Sequence, residues 1–158
     1  MALMRKWNVA AIAALGVVAF GATAMAADNG AIVKERQDSM KAQAADVKAI
    51  NDYARGKGDK DAAAKAAADL NEHANKMAKL FPKGTSSADL AGKSHAKPEI
   101  WTDNAKFMTI VSTFKDKASK LPALIKTGTP DDVKAAATDL AKTGCVSCHS
   151  AYREAGAQ

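Results

Sequence analysis

The chain has 158 residues, with 23 Lys and Arg against 17 Asp and Glu, which gives a formal net charge of +6. This length favours a single domain. The basic residues are spread along the chain without a dense cluster, which argues against a nucleic-acid-binding protein.

The N-terminal residues have the layout of a secretory signal peptide. Arg5 and Lys6 precede an apolar run at positions 9–22, and small residues follow that run. The run is shorter than the roughly 20 residues that a membrane-spanning helix needs, so we expect cleavage rather than a membrane anchor. Cleavage removes residues 1–26 and leaves residues 27–158 as one periplasmic domain with a net charge of +4.

The rest of the chain is rich in Ala, Lys, Asp and Leu, a composition that favours helix. Glycine and proline divide it into four stretches. The first covers about 31–54 and ends at the Gly-rich segment 55–58. The second begins near Asp59, a candidate N-cap, and ends at the Phe-Pro-Lys-Gly segment 81–84.

A loop at 85–97 precedes the third stretch, which begins at Pro98 and is expected to end near Leu121, before Pro122. The fourth begins near 130. Each stretch carries one apolar stripe at helical spacing, as amphipathic helices do. Four such helices with mostly short connections predict an all-α fold, an antiparallel four-helix bundle.

The two cysteines lie near the end of the fourth stretch, in the sequence Cys145-Val146-Ser147-Cys148-His149. This is the C-x-x-C-H pattern of covalent haem attachment. Residues three apart on a helix lie about 5–6 Å from each other on one face, so both thiols can add to the two vinyl groups of one haem. His149 follows Cys145 by four residues, on the same face, and can therefore ligate the iron.

Three other interpretations of the cysteines are weaker. A disulfide between residues so close in sequence restricts the unfolded chain little. A thioredoxin-like redox pair needs neighbouring strands, and none is predicted. A structural zinc site needs four ligands, whereas His73 and His95 are far apart in the sequence; we interpret His73 as a core histidine and His95 as a solvated one. The sequence therefore predicts one covalently bound haem c.

The predicted mature chain resembles cytochrome c prime and its low-spin relatives, the class II c-type cytochromes. The C-terminal attachment motif is followed by Tyr152-Arg153, as in that family. Three further segments are similar: RQDSM at 36–40, FPKGT at 81–85 and AKPEIW at 96–101. The resemblance implies an antiparallel four-helix bundle with the haem inside.

The resemblance also implies roles for individual residues. Met40 matches the methionine that ligates the iron in the low-spin branch. Arg36 is expected to pair with a haem propionate. Tyr152 is expected to cover the haem edge near Cys148, and Trp101 to pack against the haem or in the core. The leading interpretation is thus a periplasmic electron carrier with His149 and Met40 as iron ligands, which exchanges electrons with redox partner proteins.

The alternative is a five-coordinate haem protein that binds nitric oxide or carbon monoxide, with Met40 only packing beside the iron. An enzyme such as a peroxidase is less favoured, because the sequence shows no polar pair for acid–base chemistry on the distal side. A homodimer is a further expectation of the resemblance.

Overall fold

The computed structural model describes the backbone of residues 20–156 and the side chains of residues 28–156. This part of the chain is helical, with one isolated antiparallel bridge between Ala96 and Arg153. The predicted signal peptide lies outside the described residues, except for the backbone of 20–26. None of the described helices combines the length and apolar character needed to cross a bilayer.

Six α-helices, one 3₁₀ turn and one π-helical segment make up four long rods. In chain order they are α1 (Phe20–Ala54), α2 (Lys60–Lys76), the 3₁₀ turn (Met77–Leu80), α3 (Glu99–Thr102), α4 (Asn104–Thr127), α5 (Pro130–Leu140), the π-helical segment (Ala141–Val146) and α6 (Ser147–Tyr152). Helix α1 packs on α2 and α5, and α4 packs on the same two helices from the other side. The prediction of an all-α four-helix bundle is confirmed.

The polar residues at two helix starts act as the sequence predicts. The Asp59 carboxylate accepts a hydrogen bond from the backbone N–H of Ala62 (2.8 Å), which satisfies one of the free donors at the start of α2. At the start of α5, Thr129 and Asp132 form a capping box, in which each side chain accepts from the other residue's backbone N–H.

The predicted end of the third helix before Pro122 is wrong. Pro122 lies inside α4, which continues to Thr127. A proline inside a helix loses one hydrogen bond and crowds the preceding turn, but here continuing the helix buries Ile125, whose side chain is 0% exposed. Leu124 also packs, partly buried, against the core. The helix ends instead at Gly128, whose backbone N–H donates to the Leu124 carbonyl (2.7 Å).

The core combines a few large side chains with many alanines. The largest fully buried side chains include Ile50, Leu70, Phe107, Ile125 and Leu140. Alanines fill much of the remaining contact between α2 and its neighbours, where Ala63 and Ala67 are fully buried. These small residues let α2 approach its neighbouring helices closely.

Candidate functional site

A cavity of about 310 Å³ lies inside the bundle, and the predicted haem-attachment residues line it. Cys145, Cys148 and His149 contribute one wall, from the π-helical segment and α6. The remaining lining is largely apolar. It consists of Met40, Gln43, Ala44, Val47, Leu70, Met77, Phe107, Ile110, Val111, Phe114, Ala141 and Gly144.

The π-helical segment was not predicted, and it determines how the cysteines reach the cavity. It contains Cys145, and its last turn is closed by the backbone N–H of Ser147, which donates to the Lys142 carbonyl five residues earlier. Gly144 lets the segment approach α4, because a Cβ at that position would lie 2.9 Å from Cδ2 of Phe114. Both cysteines are free thiols, so neither is committed to a disulfide.

The protein environment keeps these three groups uncharged. Burial raises the pKa of the Cys145 thiol, and burial with the nearby Cys145 raises the pKa of Cys148 to about 11. His149 is exposed on one side, yet partial burial, followed by the positive charge of Arg153, lowers its pKa. A neutral imidazole is the form that ligates a metal.

This donor set fits haem c. Two thiols and one imidazole lie on a single wall of an apolar cavity, which is the set that covalent attachment and one axial ligand require. The volume of the cavity falls in the range of small-molecule and cofactor sites, about 300–1,000 Å³. Cys145, Cys148 and His149 would hold the haem.

Met40 lies on the α1 wall of the same cavity. It shares that wall with Gln43, Ala44 and Val47, which follow it at helical spacing. Helix α1 packs on α2 and α5, whereas α6 packs on α4. The cavity therefore has Met40 and His149 on walls built by different helices.

Arg36, the predicted partner of a haem propionate, contacts the segment that joins the 3₁₀ turn to α3. Its side chain is buried (5% exposed) and holds the segment that follows the 3₁₀ turn. The guanidinium donates to the carbonyls of Leu80 (3.1 Å) and Thr85 (3.0 Å) and to the hydroxyls of Thr85 (3.2 Å) and Ser94 (2.9 Å). It also stacks over the ring of Phe81 at 4.6 Å. These hydrogen bonds give Arg36 a structural role, and its pairing with a haem propionate stays a prediction.

Trp101 and Tyr152 also lie elsewhere than on the cavity lining. The indole N–H of Trp101 donates to the Phe81 carbonyl (3.1 Å). Tyr152 is 4% exposed and packs edge-to-face on Phe107, with ring centroids 5.5 Å apart. Phe107, which does line the cavity, thus stands between Tyr152 and the cavity. Trp101 packs against the core and Tyr152 belongs to it, while their contacts with the haem stay predictions.

Gln43 was not predicted as a site residue, although it is the one lining side chain among the described residues with an amide. Its amide nitrogen donates to the Ser39 hydroxyl (3.1 Å), which lies 3.4 Å from Nδ1 of His73. On the other side of the ring, Nε2 of His73 lies 3.8 Å from Oδ2 of Asp46. The spacing of Ser39, Gln43 and Asp46 on one helix face could have indicated the cluster, but its connection to His73 depends on how α1 packs on α2.

Desolvation raises the pKa of the Asp46 carboxyl, and the nearby His73 opposes that rise. Oδ2 of Asp46 is buried without a hydrogen-bond partner in the part of the chain that the structure describes. The prediction of His73 as a core histidine agrees with its place between α1 and α2, where its side chain is 29% exposed.

Comparison with known proteins identifies relatives of this chain. The family model described as cytochrome c' matches residues 31–153. A cytochrome c' of Alcaligenes xylosoxydans xylosoxydans is 38% identical over 74 residues, which are 47% of this chain and only 53% of that relative. A cytochrome c-554 of Cereibacter sphaeroides is 34% identical over 97 residues, 61% of this chain and 71% of the relative.

Solved structures agree in fold. A cytochrome c' with a ligand-controlled dimer dissociation superposes with a TM-score of 0.73 at 25% identity and covers 80% of this chain and 96% of its own. A ferrous variant of Alcaligenes xylosoxidans cytochrome c prime with bound NO has a TM-score of 0.67 at 27% identity, over 78% of this chain and 93% of its own.

The family match extends over every residue that lines the cavity, from Met40 to His149. Its fold is the four-helix bundle found here, and its haem c is the group that the two thiols and the imidazole fit. The chain belongs to the cytochrome c' family and is a haem c protein.

Proposed function

We propose that this protein binds a diatomic gas, nitric oxide or carbon monoxide, at the iron of its haem. When bound, the haem would supply an iron that can take up such a gas. The observation that carries the proposal is the composition of the cavity lining. His149 lies on one wall, and a mostly apolar part of α1 forms another wall of the same cavity. The solved relative with bound NO supports it.

The residues of the cavity suit this role without acid–base catalysis. His149 is held in the neutral form that ligates iron, because burial lowers its pKa. Leu70, Val111 and Phe114 give the lining its apolar character. Met40 lines the cavity from α1, and in this proposal it packs beside the iron without ligating it. We therefore propose a binding protein and not an enzyme.

A second candidate function is electron transfer with His149 and Met40 both ligating the iron. The observation that favours it is the presence of the Met40 thioether on the same cavity as His149. His/Met ligation raises the reduction potential of haem and suits an electron carrier that exchanges electrons with partner proteins.

Absorption spectra of the oxidised and reduced protein, with and without carbon monoxide, distinguish the two. Gas binding predicts a high-spin ferric spectrum and ready formation of a carbon monoxide adduct by the wild-type ferrous protein. Met40→Leu then leaves the spin state unchanged. Met77→Leu is the matched control, because Met77 lines the same cavity from the 3₁₀ turn.

The opposite result supports the electron carrier. In that case the wild-type ferric protein is low-spin and shows a methionine-to-iron charge-transfer band. The band disappears in Met40→Leu and persists in Met77→Leu.

We further propose that residues 1–26 direct export to the periplasm and are then cleaved, leaving residues 27–158 as the mature domain. N-terminal sequencing of the exported protein tests the cleavage, and an intact leader contradicts it.

We also propose that the mature chain forms a homodimer. The dimer described for a solved relative supports this proposal. Sedimentation tests it, and a monomer at high concentration contradicts it.

A further inference from the structure

The α1 wall of the cavity carries one polar side chain, and its surroundings hold it in a defined orientation. Gln43 is 8% exposed and lines the cavity one turn after Met40. A buried amide needs hydrogen-bond partners, because leaving them unmade costs free energy. Ser39 supplies one of these partners at 3.1 Å, on the same helix.

The neighbours of Ser39 determine whether the amide nitrogen or the amide oxygen of Gln43 faces the Ser39 hydroxyl. Oδ2 of Asp46 lies 3.8 Å from Nε2 of His73 and favours a proton on that nitrogen. In that tautomer Nδ1 of the same ring is an acceptor, which can receive the hydroxyl proton of Ser39, 3.4 Å away. The Ser39 oxygen is left as an acceptor, so it takes an N–H from Gln43 rather than donating to the amide oxygen.

An amide nitrogen has two hydrogens, and Ser39 takes one of them. The second hydrogen can then point into the cavity that Gln43 lines. A diatomic gas on the iron carries no proton and can only accept a hydrogen bond. The other lining side chains of α1, Met40, Ala44 and Val47, offer no donor.

We propose that the Gln43 amide donates a hydrogen bond to the diatomic ligand of the haem iron, and that Ser39 is the positioning residue that holds the amide in place. This proposal rests on the proposed gas-binding function and names the residue that sets the affinity. His73 and Asp46 act through Ser39, since they determine the direction of its hydroxyl. Loss of the donor should speed the release of the gas and change the electronic structure of the bound ligand.

The test uses the carbon monoxide adduct of the ferrous holoprotein. We expect Gln43→Leu to raise the C–O stretching frequency in the infrared spectrum, because a donor at the ligand oxygen weakens that bond. We also expect the dissociation rate of carbon monoxide to rise roughly three- to tenfold, the effect of losing one ordinary hydrogen bond. Ser39→Ala keeps the amide but frees it, so the infrared band should broaden or split.

Gln37→Leu is the matched control. It is the same substitution on the same helix, but Gln37 donates to the Lys93 carbonyl at the surface and does not line the cavity. Gln43→Leu, Ser39→Ala and Gln37→Leu are each made both in the wild-type protein and in a Met40→Leu background. In that background no methionine at position 40 can ligate the iron. A structural effect alone would alter stability without moving the stretching frequency.

The outcomes separate this proposal from the proposed function. If the wild-type protein rejects carbon monoxide and only the Met40→Leu background binds it, the gas-binding function fails, and Gln43 is judged in that background by the same comparison. If Gln43→Leu matches Gln37→Leu in both frequency and rate, the role of Gln43 is overturned. A lowered frequency in Gln43→Leu overturns it as well, since the amide would then present its oxygen.

Discussion

The guanidinium of Arg36 is a buried charge that organises the segment joining the 3₁₀ turn to α3. Desolvation lowers its pKa to about 10, which still leaves it charged at neutral pH. Four hydrogen bonds to Leu80, Thr85 and Ser94 compensate for the lost water. Hydrogen bonds to a charged group contribute more than neutral ones, so this one residue has a large influence on the loop.

Replacing Arg36 by Met keeps much of the length of the side chain and removes the donors. We expect the free energy of unfolding of the holoprotein to fall by about 2–3 kcal/mol, because the buried acceptors of the loop lose a charged partner. Urea unfolding followed by circular dichroism measures it.

Gln37→Met is the control for Arg36→Met, since Gln37 makes one exposed hydrogen bond to the same loop. Gln37→Met should lower the free energy of unfolding by less than about 1 kcal/mol. A change in the reduction potential of the haem in Arg36→Met, with stability unchanged, would instead favour contact with a propionate.

At the scale of elements, the π-helical segment connects the packing of the bundle to the attachment chemistry. It is continuous with α5 before it and α6 after it, and it carries Cys145 into the cavity wall. π-Helical turns are rare and concentrate at functional sites. This one depends on Gly144, which is buried against the ring of Phe114.

Gly144→Ala places a methyl group 2.9 Å from Cδ2 and 3.2 Å from Cβ of Phe114. We expect a loss of about 1–3 kcal/mol in the free energy of unfolding, the usual cost of overpacking. Phe114 lines the cavity, so its displacement should also shift the absorption spectrum of the haem. Chemical unfolding and visible spectroscopy measure the two effects.

Gly30→Ala in α1 provides the comparison, because no atom lies within 4 Å of the position that its Cβ would take. Alanine favours helix over glycine by up to about 1 kcal/mol, so this variant should be as stable as the wild type or more so. Equal losses in both variants would show that the close approach of Gly144 to α4 has no energetic importance.

At the scale of the whole molecule, four rods enclose a cavity that the side chains do not fill. The alanines of the core bring α2 close to its neighbours, whereas larger side chains such as Leu70, Phe107 and Phe114 line the cavity. An empty apolar cavity deprives its lining of contacts. The folded bundle and its haem should therefore stabilise each other, as any ligand that binds only the native state does.

The double variant Cys145→Ser, Cys148→Ser retains the size of both side chains and prevents thioether bonds. We expect its haem to be extracted by acid and organic solvent, whereas the wild type keeps its colour. The haem-free bundle should unfold at a lower temperature. A rigid cavity of this volume would cost on the order of 7 kcal/mol, an upper bound because the walls can move inward.

The single variants Cys145→Ser and Cys148→Ser each leave one thiol and should retain haem more firmly than the double variant. Absorption after extraction and thermal unfolding by circular dichroism compare the three proteins. Colour that survives extraction in the double variant would contradict attachment through these cysteines.

The sequence by itself determined the helical rods and the donor set of the haem, because both depend on residues close together in the chain. The N-cap role of Asp59 depends on a contact with Ala62, three residues later. The haem donors Cys145, Cys148 and His149 lie within five consecutive residues. The same local rules failed for Pro122, where burial of Ile125 in the continued helix outweighs the loss of one helical hydrogen bond.

Only the tertiary structure decided which residues surround the cavity. Arg36 contacts Thr85, 49 residues away, and Ser39 meets His73 across 34 residues, so neither contact follows from local spacing. Burial of a charged or polar side chain is favourable only where partners converge on it, and that convergence is created by helix packing. The cysteines thus identify the haem from the sequence, whereas the packing of α1 places Met40 and Gln43 on the lining of its cavity.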